Sequence, residues 1–127
     1  MVNKIIGHTY NFFSCLFHRI KGKKRTIFIG PHTRIKNPSK ICLSSDVILG
    51  RYGYLSVHSK NGNISIGERT NIGMFFQIAC LSSVKIGKDC LFAANCYIAD
   101  FTHEYKDINN PISKQKIYVK HKAGGVE

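Results

Sequence analysis

Four times in this chain an aliphatic residue, any residue, a second aliphatic and a glycine follow one another: Ile27-Phe28-Ile29-Gly30, Val47-Ile48-Leu49-Gly50, Ile64-Ser65-Ile66-Gly67 and Val84-Lys85-Ile86-Gly87. The glycines are 20, 17 and 20 residues apart, and within each interval the period is six. Hexads opened at Ile29, Ile35, Ile41, Leu49, Leu55, Ile66, Ile72, Ile78, Ile86, Phe92 and Ile98 begin with Ile or Leu in every case but Phe92. Their second position is Gly or Ala in 8 of 11, the exceptions being Lys36, Cys42 and Ser56. Their fifth is Gly, Ser, Thr or Cys everywhere except at Phe76. A helix repeats its apolar stripe at three and four residues, so it cannot produce a strict six. A chain that turns a corner every six residues does. Three sides make a triangular coil, and coils stacked in parallel make an all-β solenoid with the aliphatics inside it. The fifth position is expected to face inward near a corner, where only small side chains fit. The second suits a tight turn, through positive φ or close backbone approach.

The rest of the composition narrows the function classes. A chain of 127 residues with 43% hydrophobic and 20% charged residues reads as one small folded domain. Its longest apolar stretches are broken by His8, Asn11, His18 and Arg19, short of the roughly 18 apolar residues of a spanning helix. The start has no small-residue cleavage site, so no secretory signal is expected. The net charge is +12, which raises nucleic acid, anionic lipid or a phosphorylated ligand as partners. The excess lies mostly toward the N-terminus: residues 1–25 hold six basic and no acidic residues, while 66–100 hold three of each. No helix-turn-helix, zinc finger or RNA-binding aromatic motif accompanies it, so nucleic acid is not expected. Cys15, Cys42, Cys80, Cys90 and Cys96 are odd in number with no C-x-x-C pair, the pattern of reduced thiols in a cytoplasmic protein, with no metal expected.

After Ile98-Ala99 the hexads lapse into a polar excursion, Asp100-Phe101-Thr102-His103-Glu104-Tyr105, continuing through Pro111-Ile112-Ser113-Lys114-Gln115 to Ala123-Gly124-Gly125, a run expected from its glycines to be flexible. Long loops on rigid scaffolds are where function concentrates. The repeat and this loop resemble the hexapeptide-repeat acyltransferases, whose fold is a left-handed parallel β-helix. The Asp-x-x-His, the following Tyr and the later Pro-Ile-x-x-Gln are similar to the sugar and lipopolysaccharide O-acetyltransferases of that family. The resemblance covers about residues 26–127, with the loop at about 100–124. It implies acetyl-CoA as co-substrate, a hydroxyl of a sugar or of a polysaccharide or lipopolysaccharide precursor as acceptor, a homotrimer, and His103 as general base. Asp100 and Glu104 are the candidates to support the imidazole, and Tyr105, Phe75 and Asn95 to contact the acceptor. His8, His18, His32, His58 and His121 read as ordinary surface or packing residues.

Two departures qualify the resemblance. Maltose- and galactoside-type relatives place an acceptor-binding asparagine near Phe75, which cannot hydrogen-bond; the run Met74-Phe75-Phe76 offers instead an apolar wall for a sugar or for a neighbouring chain. Gly125-Val126-Glu127 reads as the start of another unit, so the final coils, which in the family line the CoA slot, are expected to lie beyond residue 127, with most cofactor-binding residues among them. At the other end, Ile5, Ile6, Tyr10, Phe12, Phe13, Leu16, Phe17 and Ile20 recur at helical spacing before Lys21-Gly22-Lys23-Lys24-Arg25. This reads as a short amphipathic helix over residues 1–25 that caps the first coil, with peripheral contact to an anionic membrane as the sharper expectation. Two rivals to sugar acetylation stay open: an inactive β-helix remnant and a serine-type O-acetyltransferase. The missing long helical N-terminal domain disfavours the second.

Overall fold

In a computed structural model that describes residues 26–119, the chain winds into a β-solenoid. Its strands visit three faces in rotation. The first face carries β1 (Phe28–Ile29), β4 (Ile48–Leu49), β7 (Asn71–Ile72) and β10 (Leu91–Phe92). The second carries β2 (Arg34–Lys36), β5 (Tyr54–Val57), β8 (Gln77–Cys80) and β11 (Tyr97–Ala99), and the third β3 (Ile41–Leu43), β6 (Asn63–Ile66) and β9 (Ser83–Ile86). All pairings within these sheets are parallel. Each strand therefore pairs with the one three places on, and three coils and two sides of a fourth are built. No helix among the described residues is long and apolar enough to cross a membrane. The amphipathic segment over 1–25 lies outside the described residues.

Register turns the hexads into columns. Ile29, Leu49, Ile72 and Phe92 stack on the first face, and Ile35, Leu55, Ile78 and Ile98 on the second. On the third, Ile41, Ile64 and Val84 stack beside Leu43, Ile66 and Ile86. Most of these side chains are 0–1% exposed, and burial of each contributes roughly 1.5–3 kcal/mol. One hexad boundary is corrected: the residue that lines up with Ile66 and Ile86 is Leu43, not Ile41. The four aliphatic-x-aliphatic-Gly units are also not four equivalents. The first two end on the first face and the last two on the third, which is why one glycine interval is 17 and the others 20.

The second-position glycines answer to close approach. A Cβ on Gly30 would lie 2.4 Å from the Arg51 nitrogen, and one on Gly50 2.5 Å from the Gly73 carbonyl carbon; real Cβ atoms do not come that near, so larger residues would part the coils. Positive φ falls two residues later, on His32, Tyr52, Phe75 and Asn95 at the corner between the first and second faces, and on Asp46, Arg69 and Asp89 at the corner between the third and first; at the remaining corner Asn37 alone has it. The rings of His32, Tyr52 and Phe75 stack along their corner at 5.0 and 5.4 Å. On the other, Arg69 grips Asp89 through two bonds of 2.6 and 2.9 Å.

The fifth position is small for more than lack of room. Thr33 and Thr70 are buried, and each donates its hydroxyl to a glycine carbonyl of the next coil, Gly50 and Gly87, at 2.9 and 2.8 Å. Each also accepts an N–H from that coil, of Gly53 and Cys90, so neither hydroxyl is left unsatisfied. Cys90 and Cys96 pack, partly buried, against the core, and the described cysteines are free thiols. At the corner between the second and third faces the rule fails, because Ser39 and Ser82 are exposed. That corner carries the surplus residues. The pairings Phe28–Ile48, Ile48–Asn71 and Asn71–Leu91 give coils of 20, 23 and 20 residues, and the longest coil spends its excess between Val57 and Asn63.

Phe76, the one large residue at a fifth position, is 1% exposed. Its ring fills the space that a side chain at Gly53 would take: a Cβ there would lie 2.0 Å from the Phe76 ring. The expected apolar wall Met74-Phe75-Phe76 therefore reduces to Met74 and Phe75, since Phe76 belongs to the core. Overpacking of a core costs about 1–3 kcal/mol, and Gly53→Ala is expected to reach the upper end of that range by urea unfolding. Combined with Phe76→Leu, it should cost distinctly less than the two single changes added, as a double-mutant cycle reads it.

Candidate active site

The regular prism ends at Ala99, which pairs with Ala79 below it. The next strand, β12 (Phe101–His103), does not continue the third face over β9. It pairs antiparallel with β13 (Ile117–Val119), with Phe101 opposite Val119 and His103 opposite Ile117. Residues two apart on a strand share a face, so Phe101, His103, Ile117 and Val119 lie on one side of this ribbon and Thr102 and Tyr118 on the other. Phe101 meets the His58 ring edge-on at 5.8 Å, which anchors the ribbon to the second coil. His103 is exposed.

Between β12 and β13 the loop is folded on itself. Asp107 accepts the Asn109 N–H at 3.0 Å and the Asn110 side-chain amide at 2.6 Å. Those bonds, the amide of Asn110 first, hold the Asp107 carboxyl below the ordinary carboxylate value. A 3₁₀ turn, Ile112–Lys114, follows Pro111. Gln115 then reaches back and donates through Nε2 to the carbonyls of Asp107 and Asn110, both at 2.8 Å. The Pro-Ile-x-x-Gln motif is thus the clasp of the loop, a role its spacing alone did not disclose. The Gln115 Oε1 is buried and has no partner among the described residues.

Asp100 does something the sequence did not suggest. At this corner N–H groups of the second coil donate to carbonyls of the third, from His58 to Cys80 and from Asn63 to Ser82. Above Leu81, Ser82 and Ser83 no coil follows on that side. The Asp100 carboxylate takes its place and accepts all three N–H groups at 2.7 Å. Burial pushes its pKa up, but these three bonds outweigh that and leave it below the ordinary carboxylate value. Its charge adds to burial in pushing up the thiol of Cys80, which donates to the Asn63 carbonyl at 3.1 Å.

The expected site residues fall on two corners. Asp100, His103, Glu104 and Tyr105 lie where the chain leaves the corner between the second and third faces. Phe75 and Asn95 lie on the corner between the first and second, joined by the Asn95 N–H to the Met74 carbonyl at 3.0 Å. Among the described residues no hydrogen bond links the His103 ring to Asp100 or Glu104. Glu104, half-buried, accepts the Tyr105 N–H at 3.3 Å, and Tyr105 is 63% exposed. No group of three His, Cys, Asp or Glu among the described residues is placed to hold a metal ion.

A distant relative fits this architecture. The chain is 26% identical over 95 residues to a probable acetyltransferase of Mycobacterium tuberculosis, a match that covers 72% of this chain and 31% of the relative. The chain thus spans about a third of that relative's length. Together with the stacked coils, this weak homology fits a hexapeptide-repeat acetyltransferase. No family model and no solved structure matches the chain.

The Asp100 bonds have a pH signature. A carboxylate whose folded pKa lies below its unfolded value stabilises the fold fully above the unfolded value of about 3.9, and loses that contribution as pH falls through the folded one. Asp100→Asn is therefore expected to cost about 2 kcal/mol at neutral pH, the scale of hydrogen bonds to a charged group. In thermal melts the gap to the parent chain should narrow steadily below about pH 4.

Proposed function

We propose that this chain is the β-helical part of an acetyltransferase that moves an acetyl group from acetyl-CoA to a hydroxyl of a sugar or of a polysaccharide or lipopolysaccharide precursor. His103 is the general base. The observation that carries this reading is that the chain leaves an otherwise regular prism at one place and sets an exposed imidazole on the departing strand. The similarity to a probable acetyltransferase supports the acetyl transfer, and the Asp-x-x-His with Pro-Ile-x-x-Gln pattern supports the sugar hydroxyl.

A hydroxyl is a weak nucleophile at neutral pH, so its proton must leave as the new bond forms. The His103 imidazole takes that proton while the hydroxyl oxygen attacks the thioester carbonyl. The tetrahedral oxyanion then collapses, the C–S bond breaks, and the imidazolium returns the proton to the departing CoA thiolate. Backbone N–H groups are the donors available to the oxyanion. Asp100 serves this site by fixing the corner from which β12 departs, since its acceptor positions are engaged by Leu81, Ser82 and Ser83. Glu104 is left as the carboxylate free to steady the imidazolium.

The division of site residues between two corners supports a site shared between subunits. In a homotrimer of such prisms, Phe75 and Asn95 of one protomer serve the His103 loop of its neighbour, from a corner other than the one that loop leaves.

Thiol release from acetyl-CoA across a panel of sugar acceptors tests the reading. His103→Ala is expected to lower the rate about 10²- to 10⁴-fold, while Lys85→Gln, an exposed lysine on the third face, leaves it unchanged. Equal rates for His103→Ala and the parent chain with every acceptor would mark the chain as a non-catalytic scaffold.

A further inference from the structure

The corner that absorbs the surplus residues of the second coil holds an open cleft of about 370 Å³. Asn37, Ser39 and Lys40 of the first coil and His58, Ser59 and Lys60 of the second wall it. No carboxylate lines it. A smaller hollow of about 310 Å³ adjoins it and shares Ser39 and Lys40.

The walls of the cleft are tied at several points. The Asn37 side-chain amide donates to the Val57 carbonyl at 2.6 Å, and the His58 N–H to the Cys80 carbonyl at 2.8 Å. Ser59 Oγ donates to the Leu81 carbonyl. His58 Nε2 lies 2.9 Å from Ser56 Oγ, with its ring against Phe101. Gly62 is buried where the loop rejoins the prism, and a Cβ there would lie 2.7 Å from the Val57 side chain. The shape of the cleft is thus set before any ligand arrives.

Its cations, by contrast, are unmatched. Among the described residues the ion pairs are those of Arg69 with Glu68 and Asp89, and neither Lys40 nor Lys60 has a partner. Two lysines lining one hollow without a carboxylate raise its potential and concentrate anions there. Lysine is a compact charge with three donors that suits a tetrahedral oxyanion approached from several sides, whereas a planar carboxylate is best matched by the arginine fork, absent here.

We propose that this corner binds the phosphate group of an anionic ligand, held by the Nζ atoms of Lys40 and Lys60 with Ser39 Oγ as a neutral donor. The site uses none of the residues assigned to acetyl transfer, and it stands or falls apart from that reading. Because it is open to water, inorganic phosphate alone should bind at about the millimolar level and more weakly as salt is added.

The test is a titration of the ¹⁵N-labelled chain with inorganic phosphate at fixed ionic strength, followed by amide shifts. Saturable shifts are expected over residues 37–40 and 58–62. The double change Lys40→Gln, Lys60→Gln should weaken binding by about tenfold or more. Lys85→Gln, an exposed lysine on the third face, and His103→Ala should leave it unaltered. Both cleft lysines are exposed, and an unchanged melting curve of the double variant verifies that its fold is intact. Parallel titrations with glucose and glucose 6-phosphate identify the source: binding of the sugar phosphate tighter than phosphate shows a larger phosphorylated ligand, equal binding shows that the phosphate alone is read. Shifts that never saturate, that spread evenly over the basic surface, or that persist in the double variant overturn the proposal.

Discussion

Everything in this molecule depends on how closely one coil lies on the next. At Gly30, Gly50 and Gly67 the space above the α-carbon is taken by main chain of the following coil, with distances to a hypothetical Cβ of 2.4–2.6 Å. That approach brings the N–H groups of Gly30, Gly50 and Gly67 themselves within 2.8–2.9 Å of carbonyls in the next coil, and it presses the aliphatic columns into contact. A solenoid has only nearest-neighbour interfaces, so the spacing at these glycines sets the quality of each one.

Against this uniform spacing the three edges of the prism carry different chemistry. One holds the stacked rings of His32, Tyr52 and Phe75, a second the grip of Arg69 on Asp89, and the third the polar cleft and the departure of β12. The residues at the first two edges have positive φ although none is glycine. Contacts between successive coils hold them there. Asp100 belongs to the same logic, since three main-chain donors that would otherwise end in solvent find their acceptor in one side chain.

Much of this was legible in the residues. Period six, small residues at the second and fifth positions and the lapse after Ala99 were enough for a stacked prism with an excursion at its end. What escaped were matters of depth rather than pattern. That Phe76 is core follows from the hole above Gly53, 23 positions earlier, and single-chain periodicity does not pair those two. That Leu43 and not Ile41 lies under Ile66 depends on how many residues the corner between Lys36 and Ile41 consumes. Asp100 shares a motif with His103, yet its bonds run the other way, to Leu81, Ser82 and Ser83, because those N–H groups are free only in a coil that has no successor on that side. The cleft at Lys40 and Lys60 left no periodic trace, being made of the residues that interrupt the repeat.

The uneven coil lengths have one more consequence. Two of the three corners are crossed in the same number of residues at every level, while at the third six positions separate Ile35 from Ile41 and Ile78 from Val84 but nine separate Leu55 from Ile64. Length can change along that single edge without shifting any column, so it works as the margin of the prism. Residues inserted or lost there alter what the protein presents to its surroundings and leave the lattice of inward side chains untouched. The same edge holds both the cleft and the His103 strand, and a chain built this way can acquire or discard a binding surface at the rate its loops change, with its core as a fixed ruler.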